Sequence, residues 1–323
     1  MGILNTVPSD TLYQSDHYAL KKLFVWEALK YNQKTEYWRE LYISTLKDYM
    51  LKKKFYYQIR VLSMDGKEKI SVKYDAVKDR VIEEIADNLQ DKSNKAYFKN
   101  TINLKKGEFY ISEINLNMEH GVVEKPIVPV VRYSTPIVDD NGQTRGIVVL
   151  NLYVENIFKV IQKQNEDTDK RQVFLINQDG EYLYNADEKK RWASELGSEF
   201  NFKNDFKDVF PIFKERNDLI FVQNDKIFSV DRIYPNDLGN RDRYWYFVSA
   251  LDADVAFSSL DDFVQTFFAI LIAVLGLGLY LSNAYVSKLM NPLTKVTAQL
   301  KALSFGEIKK KASNTKRMMK LAR

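Results

Sequence analysis

VRYSTPIVDDNGQTRGIVVLN (131–151) is the stretch on which the fold turns. Two apolar runs flank a polar knot, DDNGQTRG. Asp139, Asp140 and Asn141 tolerate turn backbone, and Gly142 supplies a positive φ at little steric cost. The stretch reads as strand, turn, strand. Two more knots share this build. SMDGKEK (63–69) lies between QIRVL and ISVKY, and NQDGEY (177–182) lies between VFLI and YLYN. Repeated hairpins call for antiparallel sheets.

Working outward, 55–75 reads as a hairpin, and 107–117, 129–139 and 145–154 read as further strands. VKDRVIEEIADNLQ (77–90) and VENIFKVIQKQ (154–164) are predicted helices. A second unit follows, with hairpins at 172–185 and 219–234, a mixed stretch at 197–211, and a strand entering a helix over 242–260. Before the first hairpin, residues 15–51 are predicted to form one long helix. Leu20, Phe24, Trp26, Leu29, Tyr37, Trp38, Leu41, Leu46 and Met50 recur there at helical spacing, with no Gly or Pro. The fold class is α+β: a long N-terminal helix, a sheet of about five strands, then a smaller sheet.

The 323 residues contain no cysteine, which removes disulfides, thiol catalysis and zinc–thiolate sites. Histidine is limited to His17 and His120, too few for a multi-histidine metal site. No GxxxxGK[ST], HExxH or GxSxG motif occurs. No catalytic residue, metal or cofactor is expected. The net charge of +5 is a property of the tail. Residues 263–323 carry ten basic side chains against one acid, Glu307, so the preceding residues are net acidic. That distribution gives no reason to expect nucleic-acid binding by the body.

FVQTFFAILIAVLGLGLYLSNAYVS (263–287) is free of charge and long enough to cross a membrane. The basic tail belongs in the cytoplasm, which puts 1–262 outside it. The first 30 residues show no apolar signal core, so a first membrane helix or signal is expected to be missing.

QIRVLSMDGKE, LQDKSNKAYFKN, LKKGEFYISEINLNMEHG, PIVPVVRYSTPIVDDNGQTRGIVVLNL and LINQDGEYLYNADEKK follow one another in order. The succession resembles the double Cache sensor domain of bacterial transmembrane receptors, over roughly 15–260. NPLTKVTAQLKALSFGE (291–307) resembles the start of a HAMP linker, with its turn at Gly306-Glu307. The resemblance implies two PAS-like modules and an absent output domain, a histidine kinase, a diguanylate cyclase or a chemotaxis signalling domain. The segments are then 1–14, a stalk helix at 15–51, a membrane-distal module at 52–164, a membrane-proximal module at 165–260, the membrane helix at 263–287 and a partial HAMP at 288–323. Parallel HAMP helices imply a homodimer. Where the family carries an acid, an arginine and two aromatics, Asn94, Lys95 and Ala96 stand ahead of Tyr97 and Phe98.

Arg60 lies mid-strand among Tyr57, Ile59, Val61 and Leu62. A guanidinium there needs an anion, either a ligand carboxylate or an internal acid. Arg132 and Tyr133 form a similar pair, near the pocket in the family. Tyr97 and Phe98 are candidates for a lid, Tyr110 for the same side, and Asp75 for a ligand amine. Tyr57 joins the set as a neighbour of Arg60. Lys92 and Lys95 are as readily solvated. The expected partner is a small metabolite. The rival readings are an anchored enzyme, for which no motif speaks, and an ectodomain that senses a partner protein such as a periplasmic binding protein.

Overall fold

The computed structural model describes residues 2–166, 171–214, 219–235 and 243–321. These divide into two units, Met1–Ala253 and Asp254–Arg323.

The first unit begins with three helices, α1 (Gly2–Ser15), α2 (Tyr18–Ala28) and α3 (Asn32–Lys53). The N-terminal region is helical, but the run expected over 15–51 is divided. Lys30 takes φ 58 and the chain folds back. The His17 and Tyr42 rings then meet at 5.2 Å, and those of Tyr18 and Trp38 at 5.5 Å. Folding back lets Leu20, Leu23 and Phe24 share one core with Tyr42, Leu46 and Met50. Each such side chain gains roughly 1.5–3 kcal/mol on burial, which outweighs a broken helical turn. The opening segment is also structural, since Leu4, Val7 and Thr11 of α1 are buried.

The first sheet contains β1 (Tyr56–Ser63), β2 (Glu68–Asp75), β3 (Arg80–Glu83), β4 (Tyr110–Ile111) and β5 (Asn115–Leu116). After a separate ribbon, β6 (Met118–Glu119) and β7 (Val122–Val123), it adds β8 (Pro129–Val138) and β9 (Thr144–Tyr153). The order is β3-β2-β1-β9-β8-β4, with β5 also on β8. Residues 139–143 of the knot form the β8–β9 hairpin turn, and 144–146 already belong to β9. The Asp139 carboxylate accepts from the Asn141 and Gln143 amides, each at 2.9 Å, and Gly142 takes φ 78.

Residues 77–90 correct the sequence reading. They form β3 and a short 3-10 turn, Ala86–Asn88, not a helix. The Asp75 carboxylate accepts from the Val77 and Lys78 amides at 3.1 Å and turns the chain back along β2. Edge pairing with β2, together with the stiff, β-branched Val81 and Ile82, overrides the helical spacing.

The strands place alternate residues on opposite faces. Ile59, Val61, Val131, Tyr133, Val148 and Leu150 pack with the helices in the main core. Leu62, Ile147 and Val149 face the other way, against Tyr97 and Phe98 of α4 (Ala96–Thr101).

After α5 (Glu155–Glu166) comes a five-stranded sheet, β10 (Arg171–Ile176), β11 (Tyr182–Tyr184), β12 (Leu219–Gln223), β13 (Lys226–Ile233) and β14 (Trp245–Asp252). Its order is β11-β10-β14-β13-β12. Three short helices cover it, α6 (Ala193–Leu196), α7 (Phe202–Asp205) and α8 (Phe210–Lys214). Its core is aromatic: Phe174, Tyr182, Phe202, Phe210, Phe228 and Tyr246 are buried together.

The second unit is one helix, α9, whose span Ala253–Leu321 begins at the last residue of the first. It is long and apolar enough to cross a membrane. The turn expected at Gly306-Glu307 is not formed, and the helix runs through it. A glycine inside a helix costs only about 1 kcal/mol, and the lysine-rich residues beyond it favour helix.

Candidate functional site

A cavity of about 320 Å³ lies on the α4 side of the first sheet. The strand period explains its walls. Arg60 of β1 is opposite Val149, and Arg132 of β8 is opposite Asn151, so both arginines share the face that carries Val149. Lys92, Lys95 and Tyr97 come from α4 and the loop before it. Tyr110, Glu113, Asn115 and Asn117 come from the irregular stretch through β4 and β5. Glu195 of α6 and Arg243, just before β14, complete the lining from the five-stranded half.

The two arginines differ in their partners. Arg60 is 1% exposed, with its Nε 2.7 Å from a Glu68 oxygen and an Nη2 hydrogen bond of 2.7 Å to Glu119. Its charge is matched inside the protein, which is the internal-acid alternative raised by the sequence. Glu119 is the hub of this network. It also lies 3.4 Å from Lys73 and 3.6 Å from Lys92, and it accepts hydrogen bonds from Asn117 and Gln90. Burial pushes the Glu119 carboxyl up, but Arg60, Lys73 and Lys92 more than reverse this and hold it at about 2.

Arg132 is 7% exposed, and among the described residues it has no carboxylate partner. Its Nη1 donates to Asn115 Oδ1, its Nη2 donates to Asn117 Oδ1 at 3.2 Å, and it lies over the Tyr97 ring at 5.6 Å. Its buried Nε donates to nothing. Burial pulls its pKa down to about 10, still charged at neutral pH. A buried cation held by neutral amides and open to a cavity is equipped to take an anion.

Of the residues singled out from the sequence, Arg60, Tyr97, Tyr110 and Arg132 line the cavity. The other four do not. Tyr133 cannot join Arg132, because adjacent strand residues face opposite ways; it is buried in the main core and donates to the Pro235 carbonyl at 3.0 Å. Phe98 packs on Leu62, Ile147 and Val149 behind the wall. Asp75 builds the β2–β3 turn. Tyr57 stacks on Tyr153 at 5.9 Å, beside Glu124 and outside the lining. Lys92, treated as readily solvated, is 3% exposed and donates to Gln90 Oε1 at 2.8 Å. The sequence reading missed Asn115, Asn117, Glu119, Glu195 and Arg243. The Asn-Leu-Asn alternation at 115–117 was the one visible signal, since it puts two carboxamides on one face. Glu195 is 79 residues from the backbone amide it accepts from, and no local pattern marks it.

No curated protein matches the chain in sequence. Among the solved structures that the chain resembles, two illustrate the shared fold. One is a domain of a protein described as sensory box/GGDEF family, from Vibrio parahaemolyticus. It has a TM-score of 0.67 and 20% identity, over 78% of this chain and 90% of that one. The other is described as the extracellular domain of a histidine kinase, with a TM-score of 0.64 and 20% identity over 78% and 86%. At such identity the likeness is one of fold. The sequence pattern of the bacterial histidine kinase sensor domain matches residues 25–234, well over half of the chain. The chain therefore belongs to the bacterial histidine kinase sensor domain family.

Proposed function

We propose that this sensor domain binds a small carboxylate-bearing metabolite in the cavity, with Arg132 as the anion clamp. The observation that carries the reading is the Arg132 guanidinium: buried, without a carboxylate partner among the described residues, its Nε undirected, and set in a wall of about 320 Å³ of space. That volume suits a metabolite better than a peptide. Arg60, the residue first suggested for this role, instead supports the site through Glu119.

The topology of the receptor follows from charge. Residues 1–262 face outward, 263–287 cross the membrane and the basic tail lies in the cytoplasm. Ligand binding shifts the body between two packings, and the membrane helices of a homodimer carry the shift through a HAMP-type linker to an output module. The sensor portion itself performs no chemistry.

The test is thermal unfolding of the full chain in detergent against organic acids, amino acids, amines and nucleobases. A carboxylate at 100 times its dissociation constant should stabilise the fold by about 2.7 kcal/mol. Arg132→Ala should weaken that compound by about 10–100-fold, the worth of a charge-assisted hydrogen-bond pair. If no carboxylate raises the midpoint, or if Arg132→Ala binds it as well as the wild type, the clamp is wrong.

A further inference from the structure

Arg132 does not fix its own position. Its Nη1 donates to Asn115 Oδ1 and its Nη2 to Asn117 Oδ1 at 3.2 Å, so two carboxamides of one short strip set the plane of the guanidinium. Leu116 stands between them and packs in the main core. The strip is tied to the first sheet only lightly. Asn115 and Leu116 pair with Val130 and Pro129 of β8, and the Asn117 amide donates to the Val128 carbonyl at 2.8 Å. Backbone amides alternate sides along a strand, so the Leu116 amide points away from β8.

That amide is answered from the other half of the unit. Glu195, on α6 beside the five-stranded sheet, accepts it at 2.8 Å. The placement of α6 is itself forced. Trp192, just before it, is buried and takes φ 61, a left-handed backbone that strains a bulky residue. Packing holds it there: its ring meets that of Phe158 of α5 at 6.0 Å, and its amide donates to the Tyr182 carbonyl of β11 at 3.0 Å. The Glu195 and Leu196 amides then donate to the Trp192 carbonyl, at 3.2 and 2.9 Å. The strained step thereby fixes the turn that carries Glu195. A second tie between the halves, Arg243 to Glu113 at 3.1 Å, is a half-exposed ion pair and adds little.

We propose that Glu195 is a positioning residue for the anion site: by accepting the Leu116 amide it holds Asn115 and Asn117 against Arg132, and so couples occupancy of the cavity to the placement of α6. This rests on the carboxylate reading of Arg132 given above. An anion drawn to the guanidinium competes with the two asparagines for its N–H groups. The change passes from the strip to α6 through one backbone hydrogen bond, and so into the half whose last strand, β14, continues into α9. By linkage the dependence runs both ways: freeing Leu116 weakens the anion site, and filling the anion site steadies α6. The role needs an acceptor at position 195, not a charge.

The experiment titrates acetate, propionate and succinate as probes against the full chain in detergent. Thermal midpoints across concentration give apparent affinities for wild type, Glu195→Ala, Glu195→Gln and Arg132→Ala. At least one probe should bind the wild type, and Glu195→Ala should weaken it about tenfold, the worth of one well-placed hydrogen bond. Glu195→Gln still presents an oxygen to Leu116 and should stay within about threefold. A residue that only stabilised the fold would lower the midpoint of Glu195→Ala without changing the concentration at which the probe acts. Hydrogen exchange reads the coupling: the probe should slow amides in 113–117 and 193–198 together in wild type and Glu195→Gln, and only those in 113–117 in Glu195→Ala. Should Glu195→Ala fail to fold, Glu195→Met keeps the length without a strong acceptor and should behave as the alanine. If the variant lacking the acceptor binds the probe as tightly as wild type, or the wild type slows 113–117 alone, while Arg132→Ala abolishes binding, the positioning role is refuted and the clamp survives. Loss in Glu195→Gln equal to that in Glu195→Ala would also refute it, since charge and not the bond would then matter. If no probe binds the wild type, or Arg132→Ala binds as well, clamp and positioning role fall together.

Discussion

Glu119→Gln is expected to destabilise the sensor unit by about 3–5 kcal/mol, the usual loss when one partner of a buried ion network is removed. The carboxylate faces Arg60, Lys73 and Lys92, all within 4 Å. Glutamine keeps the shape and takes away the charge. Arg60 retains Glu68, and Lys73 retains Glu84 and Glu124. Lys92 retains only neutral oxygens and is the group most exposed to the loss. For a domain of this size the midpoint should fall by about 10 °C. The pH profile supplies a second reading. The folded-state value, about 2, lies below the ordinary 4.5, so the stabilisation is complete above 4.5 and is lost as pH falls toward 2. The wild type should lose up to about 3 kcal/mol more than Glu119→Gln across that window. Equal acid sensitivity of the two proteins, or a neutral-pH loss under about 1 kcal/mol, would show that the network is solvated and that Glu119 is no hub.

Gly66→Ala should be nearly as damaging, by about 3 kcal/mol, while Gly142→Ala should cost about 1 kcal/mol. Both glycines sit in hairpin turns at similar dihedrals, φ 83 and φ 78. A Cβ on Gly142 meets nothing within 4 Å, so only the left-handed backbone is paid for. A Cβ on Gly66 would stand 2.4 Å from Ser93 Cα, which is backbone and must move. The Gly66 carbonyl accepts the Lys92 amide at 2.9 Å, and the Glu68 amide donates to the Gln90 carbonyl at 2.9 Å. The turn thus clasps the segment that brings Lys92 to the cavity and Gln90 to Glu119. Urea unfolding of the two variants measures the difference. Equal losses would mean that the 90–93 segment gives way freely and that the clasp does not position the site.

Those turns were the most legible part of the sequence, because Asp, Asn and Gly fix backbone geometry locally. Alternation around them gave the antiparallel sheets, and the uncharged run at 263–287 gave the apolar helix. The misreadings arose where distant packing decides. The fold-back at Lys30 is made by the meeting of two apolar stripes, and β3 is made by the edge of β2. The cavity was half legible. Arg60 and Arg132 stand out as cations in apolar strands, but what separates them is the location of Glu68 and Glu119. Glu119 is 59 residues from Arg60, on a two-residue strand with no periodic signature. Tyr133 was misplaced through neglect of alternation, since a residue next to Arg132 on a strand is bound to face the opposite core.

That alternation has a consequence for how such a receptor changes over generations. On β8 the residues of the main core, Val131, Tyr133 and Ile137, alternate with the opposite face, on which Arg132 lines the cavity. If Arg132 is the clamp proposed above, a substitution there changes what is recognised and leaves Val131 and Tyr133, on the opposite face, in the core, so chemical preference can drift while the scaffold persists. An inserted or deleted residue within the strand does the reverse: it turns the core-facing residues outward and Arg132 away from the cavity. New specificities in this architecture should therefore arise by point replacement within strands and by length change only in turns such as 139–143.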